Sequence, residues 1–210
     1  MKNKVSIIFT LFIILVASSV FAEDPQSNED PMADILNMIN KISSSSAVKP
    51  GHYVNAEIGF EIDIPKDFNG LMTGDMLIVS ESVPSGDSVN FMELMAASQS
   101  KPTIMAMFAE SEEDDDFLNM DPEEIKMSMR EDSEDDVQMT VNSVTKEKFS
   151  GNDWVKIITE TVNPLGKMKS IAYYTTIGDR SVMLSYTAPA SEWDRIKSIF
   201  EKNHETLKVK

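Results

Sequence analysis

The strongest chemical feature of the sequence is an acidic stretch at residues 109–136, "AESEEDDDFLNMDPEEIKMSMREDSEDD", with 14 carboxylates against one Lys and one Arg. Carboxylate oxygens are the ligands that Ca²⁺ prefers. Asp114, Asp115 and Asp116 are therefore candidate ligands of a weak, largely hydrated Ca²⁺ site. An EF-hand is excluded, because the stretch lacks the alternating Asp pattern and the sixth-position Gly of that loop. The simpler alternative is a solvated loop around a short helix.

The middle of the acidic stretch has the sequence signature of a helix start. Asp121 suits the N-cap position, Pro122 suits the first helical position, and Glu124 completes a D-x-x-E capping box. Met120 and Ile125 are spaced to form a hydrophobic staple across this start. Part of the acidic charge is thus explained by helix initiation rather than by ligand binding.

Methionine supplies a second kind of ligand. Without Met1 the chain holds 14 methionines, and they include the pairs Met92-x-x-Met95, Met105-x-Met107 and Met127-x-Met129. Thioether sulfur suits soft Cu(I), and an M-x-M pair in a strand shares one face of the sheet. The alternative is core packing, because Met is a flexible hydrophobe that fills irregular gaps.

Side chains for nucleophilic catalysis are scarce. The chain has no Cys, and His52 and His204 are its only imidazoles. Ser98-x-x-Lys101 matches one element of penicillin-recognising enzymes, but their S-D-N and K-T-G elements are missing. His204 lies near the end of the last predicted helix, where a cation complements the helix dipole. We predict no catalytic residue and no cofactor.

The N-terminus has the pattern of a secretory signal peptide. Lys2 and Lys4 precede an apolar run from Val5 to Val16, and small residues lead to a cleavage site after Ala22. The apolar run is too short to span about 30 Å of hydrocarbon. We therefore expect an exported protein, periplasmic or secreted, that is soluble after cleavage and has no stable membrane insertion. Without Cys it cannot carry a lipid-modified cysteine.

The charge of the mature chain limits the classes of partner. Cleavage after Ala22 removes Lys2 and Lys4 and leaves 17 basic against 35 acidic residues, a net charge of −18. Such a field repels nucleic acid and anionic membrane surfaces. It attracts cations and basic protein surfaces, so a basic protein partner is the partner class that the sequence favours.

The chain divides into three parts: a signal peptide at 1–22, an N-terminal segment at 23–50, and a folded domain at 51–210. In the N-terminal segment, Asp30 and Pro31 begin a short amphipathic helix that runs to Ile42. A serine-rich linker follows at residues 43–46, with Lys49-Pro50-Gly51 beyond it.

Within the domain, apolar residues recur at every second position, as they do in a strand with one buried face. Phe60, Ile62 and Ile64 alternate with acidic residues after a turn at 55–59, which predicts a hairpin with one buried face. Seven further runs have strand length: "DMLIVSESV", "VNFMELMAAS", "PTIMAMFAES", "VQMTVNSVTKEKF", "WVKIITETV", "KMKSIAYYTTI" and "SVMLSYTA". The third of these could instead be a helical turn, because Met and Ala favour helix. Turn residues between the last four predict an antiparallel meander.

The C-terminus predicts a helix that packs on this sheet. Ser191 is expected at the N-cap, with Asp194 three residues on as a variant capping box. Trp193, Ile196, Ile199 and Phe200 form its apolar stripe. Leu207 and Val209 could add a short extended segment.

The order of these features resembles PsbP-like and Mog1-like domains, including DcrB-like exported bacterial proteins. The resemblance is carried by "FEIDIPKDF", "LNMDPEEIKMSM", "GNDWVKIITE", "IAYYTTIGDRSVMLSYTAP" and "SEWDRIKSIFEKNHETLKV", and it covers residues 53–209. It implies an α+β fold, an antiparallel β-sheet flanked by helices in an α-β-α sandwich. It also implies accessory functions, such as stabilising a photosynthetic metal cluster, binding a small GTPase or acting at the bacterial envelope. None of the matching motifs is catalytic.

Three hypotheses for function follow. The first is a non-enzymatic, exported accessory domain that acts through a protein partner. The second is a cation-handling protein that uses the acidic loop for Ca²⁺ or the methionine pairs for Cu(I). The third is a hydrolase, which would need two converging carboxylates with raised pKa values in a pocket.

Overall fold

The computed structural model describes residues 46–73, 75–83, 91–111, 117–131, 138–163 and 166–209. The predicted signal peptide, the predicted N-terminal helix and Asp114 to Asp116 lie outside these ranges. Each statement below concerns the described residues.

Eleven strands and three helices make up this part of the chain. The strands are β1 (Ser46–Val48), β2 (Gly51–Asn55), β3 (Phe60–Ile64), β4 (Phe68–Thr73), β5 (Met76–Glu81), β6 (Thr103–Glu110), β7 (Gln138–Phe149), β8 (Asn152–Asn163), β9 (Gly166–Ile177), β10 (Arg180–Pro189) and β11 (Lys208–Val209). The helices are α1 (Phe91–Ser98), α2 (Pro122–Glu131) and α3 (Trp193–Glu205). Ser46–Val48, which the sequence places in the linker, thus forms the first strand.

The strands form two antiparallel sheets. The large sheet has the order β1-β4-β5-β6-β10-β9-β8-β7, and the small sheet has the order β11-β3-β2. Strands β7 to β10 pair in sequence order, which confirms the predicted meander. β6 lies between β5 and β10, so it joins the two halves of the large sheet through non-local pairing.

The β7–β8 hairpin illustrates how local sequence sets the register of the meander. Phe149 pairs with Asn152, so the loop between the strands has two residues, Ser150 and Gly151. Both adopt positive φ, at 50° and 84°. That conformation matches the primed turns whose twist suits a hairpin, and Gly adopts it without steric cost.

Both faces of the large sheet are covered. On one face, α3 and the small sheet pack over a cluster that includes Phe60, Leu77, Ile104, Trp154 and Phe200. On the other face, α1 packs over Leu71 and Ile78, and α2 packs over Val155 and Tyr174. The α-β-α sandwich predicted from the sequence is therefore confirmed. The small sheet is an addition that the local pattern does not reveal, because it needs β11 to return to β3.

The predicted strand at "VNFMELMAAS" is wrong, because Phe91–Ser98 is helix α1. This segment contains Met, Leu, Glu and Ala, which favour helix, and no β-branched residue. Its Leu94 is fully buried against the sheet. The next run, "PTIMAMFAES", forms strand β6 as predicted.

The start of α3 also differs from the prediction. The N-cap is Glu192 rather than Ser191, and no side chain caps the helix. The backbone turns just before it, where the Glu192 N–H donates to the Pro189 carbonyl oxygen at 2.9 Å. Arg195 holds this end of the helix to the sheet by donating to both carboxylate oxygens of Glu81, at 2.8 and 2.6 Å.

None of the helices in the described ranges has the length and apolar content that a membrane span requires.

Candidate functional site

The middle of the acidic stretch is a capped helix start, as predicted. The Glu123 N–H donates to Asp121 Oδ1 at 2.9 Å, and the Asp121 N–H donates to Glu124 Oε2 at 3.2 Å. These reciprocal bonds satisfy two of the N–H groups that a helix leaves free at its first turn. Met120 and Ile125 both belong to the cluster beneath α2. Asp121, Glu123 and Glu124 therefore have structural roles.

The Ca²⁺ candidates Asp114, Asp115 and Asp116 lie outside the described residues. Within the described ranges, no three His, Asp or Glu side chains are grouped closely enough to hold a metal ion. The Ca²⁺ hypothesis thus stays a prediction from the sequence.

The methionine pairs have different outcomes. Met105 and Met107 lie two residues apart on β6 and so share a face of the sheet, as predicted. Met127 and Met129 lie on helix α2, where two residues of separation direct them apart. Met127 is 56% exposed whereas Met129 is 4% exposed, so this pair cannot converge on one ion. Met92 and Met95 belong to α1, and their side chains are outside the description.

A cross-strand row of methionines is the arrangement that the pairs did not reveal. Met76 of β5 is opposite Met107 of β6, and Met107 is opposite Met183 of β10. Residues directly opposite in antiparallel strands share a face, with Cβ atoms about 4.5–5.5 Å apart. Sequence reasoning misses this row because its members are up to 107 positions apart and meet only through the non-local pairing of β6.

His204 lies in an aromatic stack at the end of α3. Its ring centroid is 3.9 Å from that of Tyr173 and 4.5 Å from that of Phe149. Both ring nitrogens are buried, and neither has a hydrogen-bond partner. The nearest carboxylate oxygen, Glu147 Oε1, is 3.9 Å from Nε2, which is beyond hydrogen-bond range.

Burial, with a smaller contribution from the charge of Lys156, lowers the pKa of His204 to about 4. The imidazole is therefore neutral near pH 7, and the prediction that it acts as a cation at the helix end is wrong. Burial also raises the pKa of Tyr173, with the charge of Glu147 adding to the effect. This group of residues is a packed stack around a neutral ring.

The second imidazole, His52, is on the exposed side of the small sheet. Its Nδ1 is 2.7 Å from Asp63 Oδ1, and its Nε2 is 3.6 Å from Glu61 Oε2. Asp63 is the direct cross-strand partner of His52. The two carboxylates contact different nitrogens of the ring, so the His52 side chain links β2 to β3.

Ser98 ends helix α1, and Lys101 lies in the turn that follows, where its N–H donates to the Ala97 carbonyl oxygen at 2.7 Å. The pair therefore occupies a helix C-terminus.

Within the described residues, β7 forms one edge of the large sheet and β1 forms the other. The 12 residues of β7 exceed the usual strand length of about 5–6, and it is the last strand in the described order. Gln138, Thr140 and Asn142 are exposed along it. The eight residues 138–145, "QMTVNSVT", carry no charge, and a β-bulge lies between Val141 and Ser143. We call residues 138–145 the neutral edge.

The face of the meander beside this edge carries paired charges. Lys156 Nζ is 3.7 Å from Glu147 Oε2, and Lys169 Nζ is 3.4 Å from Glu160 Oε1. Lys167 also pairs with Glu160 and, chiefly through its hydrogen bond, lowers the pKa of that carboxyl. These ion pairs are partly exposed to solvent, so each contributes little to stability.

The chain is similar to known proteins in structure but not in sequence. No family model matches the chain, and no curated protein matches it. Among solved structures, it is similar to PsbP of the cyanobacterium Synechocystis sp. PCC 6803, with 13% identity over 80% of this chain and 94% of that one, at a TM-score of 0.48.

Two further solved structures match at 10% identity. LpqN of Mycobacterium tuberculosis, a protein involved in cell envelope biogenesis, matches over 87% of this chain and 99% of that one, at a TM-score of 0.47. The Ran-binding protein Mog1p of Saccharomyces cerevisiae matches over 79% and 95%, at 0.45. Both kinds of domain that the sequence resembles, PsbP-like and Mog1-like, are thus among the matches. Identities this low assign no residue a role, so we argue function from this chain's own surface.

Proposed function

We propose that this chain is an exported, non-enzymatic accessory domain that binds a protein partner along the neutral edge of β7. The observation that supports this most directly is the length and accessibility of β7, which ends the described sheet and begins with eight uncharged residues. A strand edge presents a row of backbone N–H and C=O groups to any chain that can pair with it. An extended partner segment can add itself there as a further strand.

A different protein suits this edge better than a second copy of the chain. Lys146 and Lys148 follow the neutral edge, and the bulge at Val141 and Ser143 increases the local twist. Charged residues and bulges are the devices by which proteins keep their own edges from pairing with one another. A partner strand that stops before Lys146 avoids the charges, and it must follow the twist of the bulge.

Electrostatics favours a basic partner. The mature chain has a net charge of −18, and the acidic stretch at 109–136 ends two residues before β7 begins. A partner with basic residues next to its docking strand would be attracted toward this end of β7. Long-range attraction of this kind raises association rates and weakens as salt screens it.

Export and the lack of an enzymatic role are parts of the same proposal. The N-terminal pattern of Lys2, Lys4 and the apolar run supports secretion with cleavage after Ala22. A non-enzymatic role is supported by His204, whose ring nitrogens are buried within an aromatic stack. Export is tested by the mass of the chain recovered from outside the cytoplasm, which should begin at Glu23. A chain that kept residues 1–22 would contradict cleavage.

The partner site is tested by photo-crosslinking in cells that produce the full chain. A photoreactive amino acid replaces Thr140, which is exposed on the neutral edge, and in a matched control it replaces Lys197, which is exposed on α3. We expect a discrete crosslinked product with another protein from position 140 and none from position 197. The yield at position 140 should fall as ionic strength rises.

Three outcomes would contradict the proposal. They are a product from position 197 and not from 140, equal products from both positions, or a product with twice the mass of the chain. The last would make the edge a contact between two copies.

A further inference from the structure

We propose that Met76, Met107 and Met183 form a binding site for a soft monovalent cation, Cu(I) or its analogue Ag(I). This site lies on the large sheet and is independent of the partner site proposed for β7.

Strand register is the first observation that carries this proposal. Met107 is the direct partner of Met76 on one side and of Met183 on the other, so three thioethers occupy adjacent positions on β5, β6 and β10. Neighbouring Cβ atoms in such a row are about 4.5–5.5 Å apart. Met has three rotatable side-chain bonds, so the two outer sulfurs can lean toward the central one without movement of the backbone.

Packing gives the second observation. Met76 packs against the cluster beneath α1, and Met183 belongs to the cluster beneath α2. Met107 packs against both clusters, as the central member of a three-residue site should. Met183 is buried, but Met76 and Met107 are half-buried. The row therefore lies where the two clusters meet, and an ion can reach it from solvent past Met76 and Met107.

The chemistry of the surroundings selects the class of ion. Three neutral thioethers suit a soft monovalent ion, whereas hard cations such as Ca²⁺ and Mg²⁺ require oxygen ligands. Tyr174 is the cross-strand partner of Met183, and its hydroxyl donates to Ser181, while the cluster around Met183 is otherwise built of apolar side chains. Such an environment favours an ion that sheds its water easily. The chain has no Cys that could compete for the ion as a thiolate.

The other described methionines lack this arrangement. Met105 is on the same face of β6, but its cross-strand partners are Ile78 and Ser185. Met72 faces the opposite cluster, beneath α3 and the small sheet. Met127 is exposed on α2. These residues provide internal controls for the experiment.

The test uses the mature chain, labelled with ¹³C at the methionine methyl groups and titrated with Ag(I) as a redox-inert probe. The methyl resonances are assigned by single Met→Leu substitutions. We expect the signals of Met76, Met107 and Met183 to shift together and to saturate at one Ag(I) per chain. The signals of Met72 and Met127 should stay unchanged at that ratio.

Affinity is then measured for Cu(I) without oxygen, in competition with a chromophoric Cu(I) chelator. Met107→Leu removes the central sulfur with little change in volume, and such swaps usually cost less than about 1.5 kcal/mol of stability. We expect it to weaken binding by about tenfold or more, because even groups that only orient a metal ligand contribute about 10–100-fold in affinity. Met76→Leu, at a half-buried position, should act in the same direction. Met72→Leu should leave the affinity unchanged.

Three results would overturn the proposal. The first is an absence of methyl shifts below about millimolar Ag(I), a concentration typical of weak metal sites. The second is simultaneous shifts of Met72 or Met127 with the three row residues, which would indicate unspecific binding. The third is wild-type Cu(I) affinity in folded Met107→Leu and Met76→Leu, with folding checked by thermal unfolding.

Discussion

His204 is the residue whose environment most changes its chemistry. Burial of both ring nitrogens penalises the charged form, and the charge of Lys156 adds to the effect, so the pKa falls to about 4. Glu147 at 3.9 Å would favour the charged form, but burial has the larger effect. The sequence places His204 correctly near the end of a helix. The sequence does not reveal the lowered pKa, because the rings that bury His204 belong to strands distant in sequence, Phe149 on β7 and Tyr173 on β9.

The stability of the protein should therefore depend on pH through His204. A base whose pKa is lower in the folded state binds fewer protons there, so its contribution is complete above about pH 6.5 and is lost as pH falls toward 4. We expect His204→Phe, which keeps an aromatic ring in the stack, to lose less stability than wild type between pH 7.5 and 4.5. The difference should be on the order of 2–3 kcal/mol. Urea unfolding at the two pH values measures it, and equal losses would contradict the assignment.

At the scale of elements, local patterns predicted the hairpin at β2 and β3 and the meander of β7 to β10, but they missed β4 and its hairpin with β5. The alternation of Phe60, Ile62 and Ile64, and the turn residues Ser150 and Gly151, place strands and turns where the structure has them. The failure at α1 has a physical cause, because a short apolar run is compatible with a buried strand or a buried helix. The position of β6 between β5 and β10 depends on contacts distant in sequence. The methionine row depends on the same contacts, so sequence reasoning found its members only as local pairs.

Gly70 of β4 shows how closely β4 and β5 approach. A Cβ at this position would overlap the backbone carbonyl oxygen of Ile78, and neither strand can yield without breaking the sheet. We expect Gly70→Ala to destabilise the fold by about 3 kcal/mol or more, at the upper end of overpacking costs. Gly151→Ala is the matched control, because its positive φ carries strain of about 1–2 kcal/mol but a Cβ there meets open space. Equal losses for the two variants, measured by urea unfolding, would contradict the close approach.

Arg195 fixes the start of α3 to the end of β5. It donates to two oxygens of Glu81 and to Glu192, and only a guanidinium has the fork that this geometry requires. We expect Arg195→Lys to lower the free energy of unfolding by about 1 kcal/mol, because the pair is partly exposed. Lys197→Ala, which breaks an exposed pair with Glu201 on the same helix, should change it by less than about 0.5 kcal/mol. A larger loss in the free energy of unfolding for Lys197→Ala than for Arg195→Lys would contradict this role of Arg195.

At the scale of the whole molecule, one sandwich presents two separate surfaces. The neutral edge of β7 lies at the end of the large sheet, and the methionine row lies on β5, β6 and β10 within it. Net charge can be read from composition, and it favours the basic partner proposed above by attraction. The position of β7 at an edge of the sheet follows from the strand order, which cannot be read from composition.

The most direct test of the central claim is hydrogen–deuterium exchange of the mature chain, alone and with the protein that position 140 captures. Added strand pairing should slow amide exchange in residues 138–145, because edge N–H groups gain partners. Exchange in α3 and in the small sheet should stay unchanged. Protection that appears on α3 or the small sheet, with none in residues 138–145, would contradict the account.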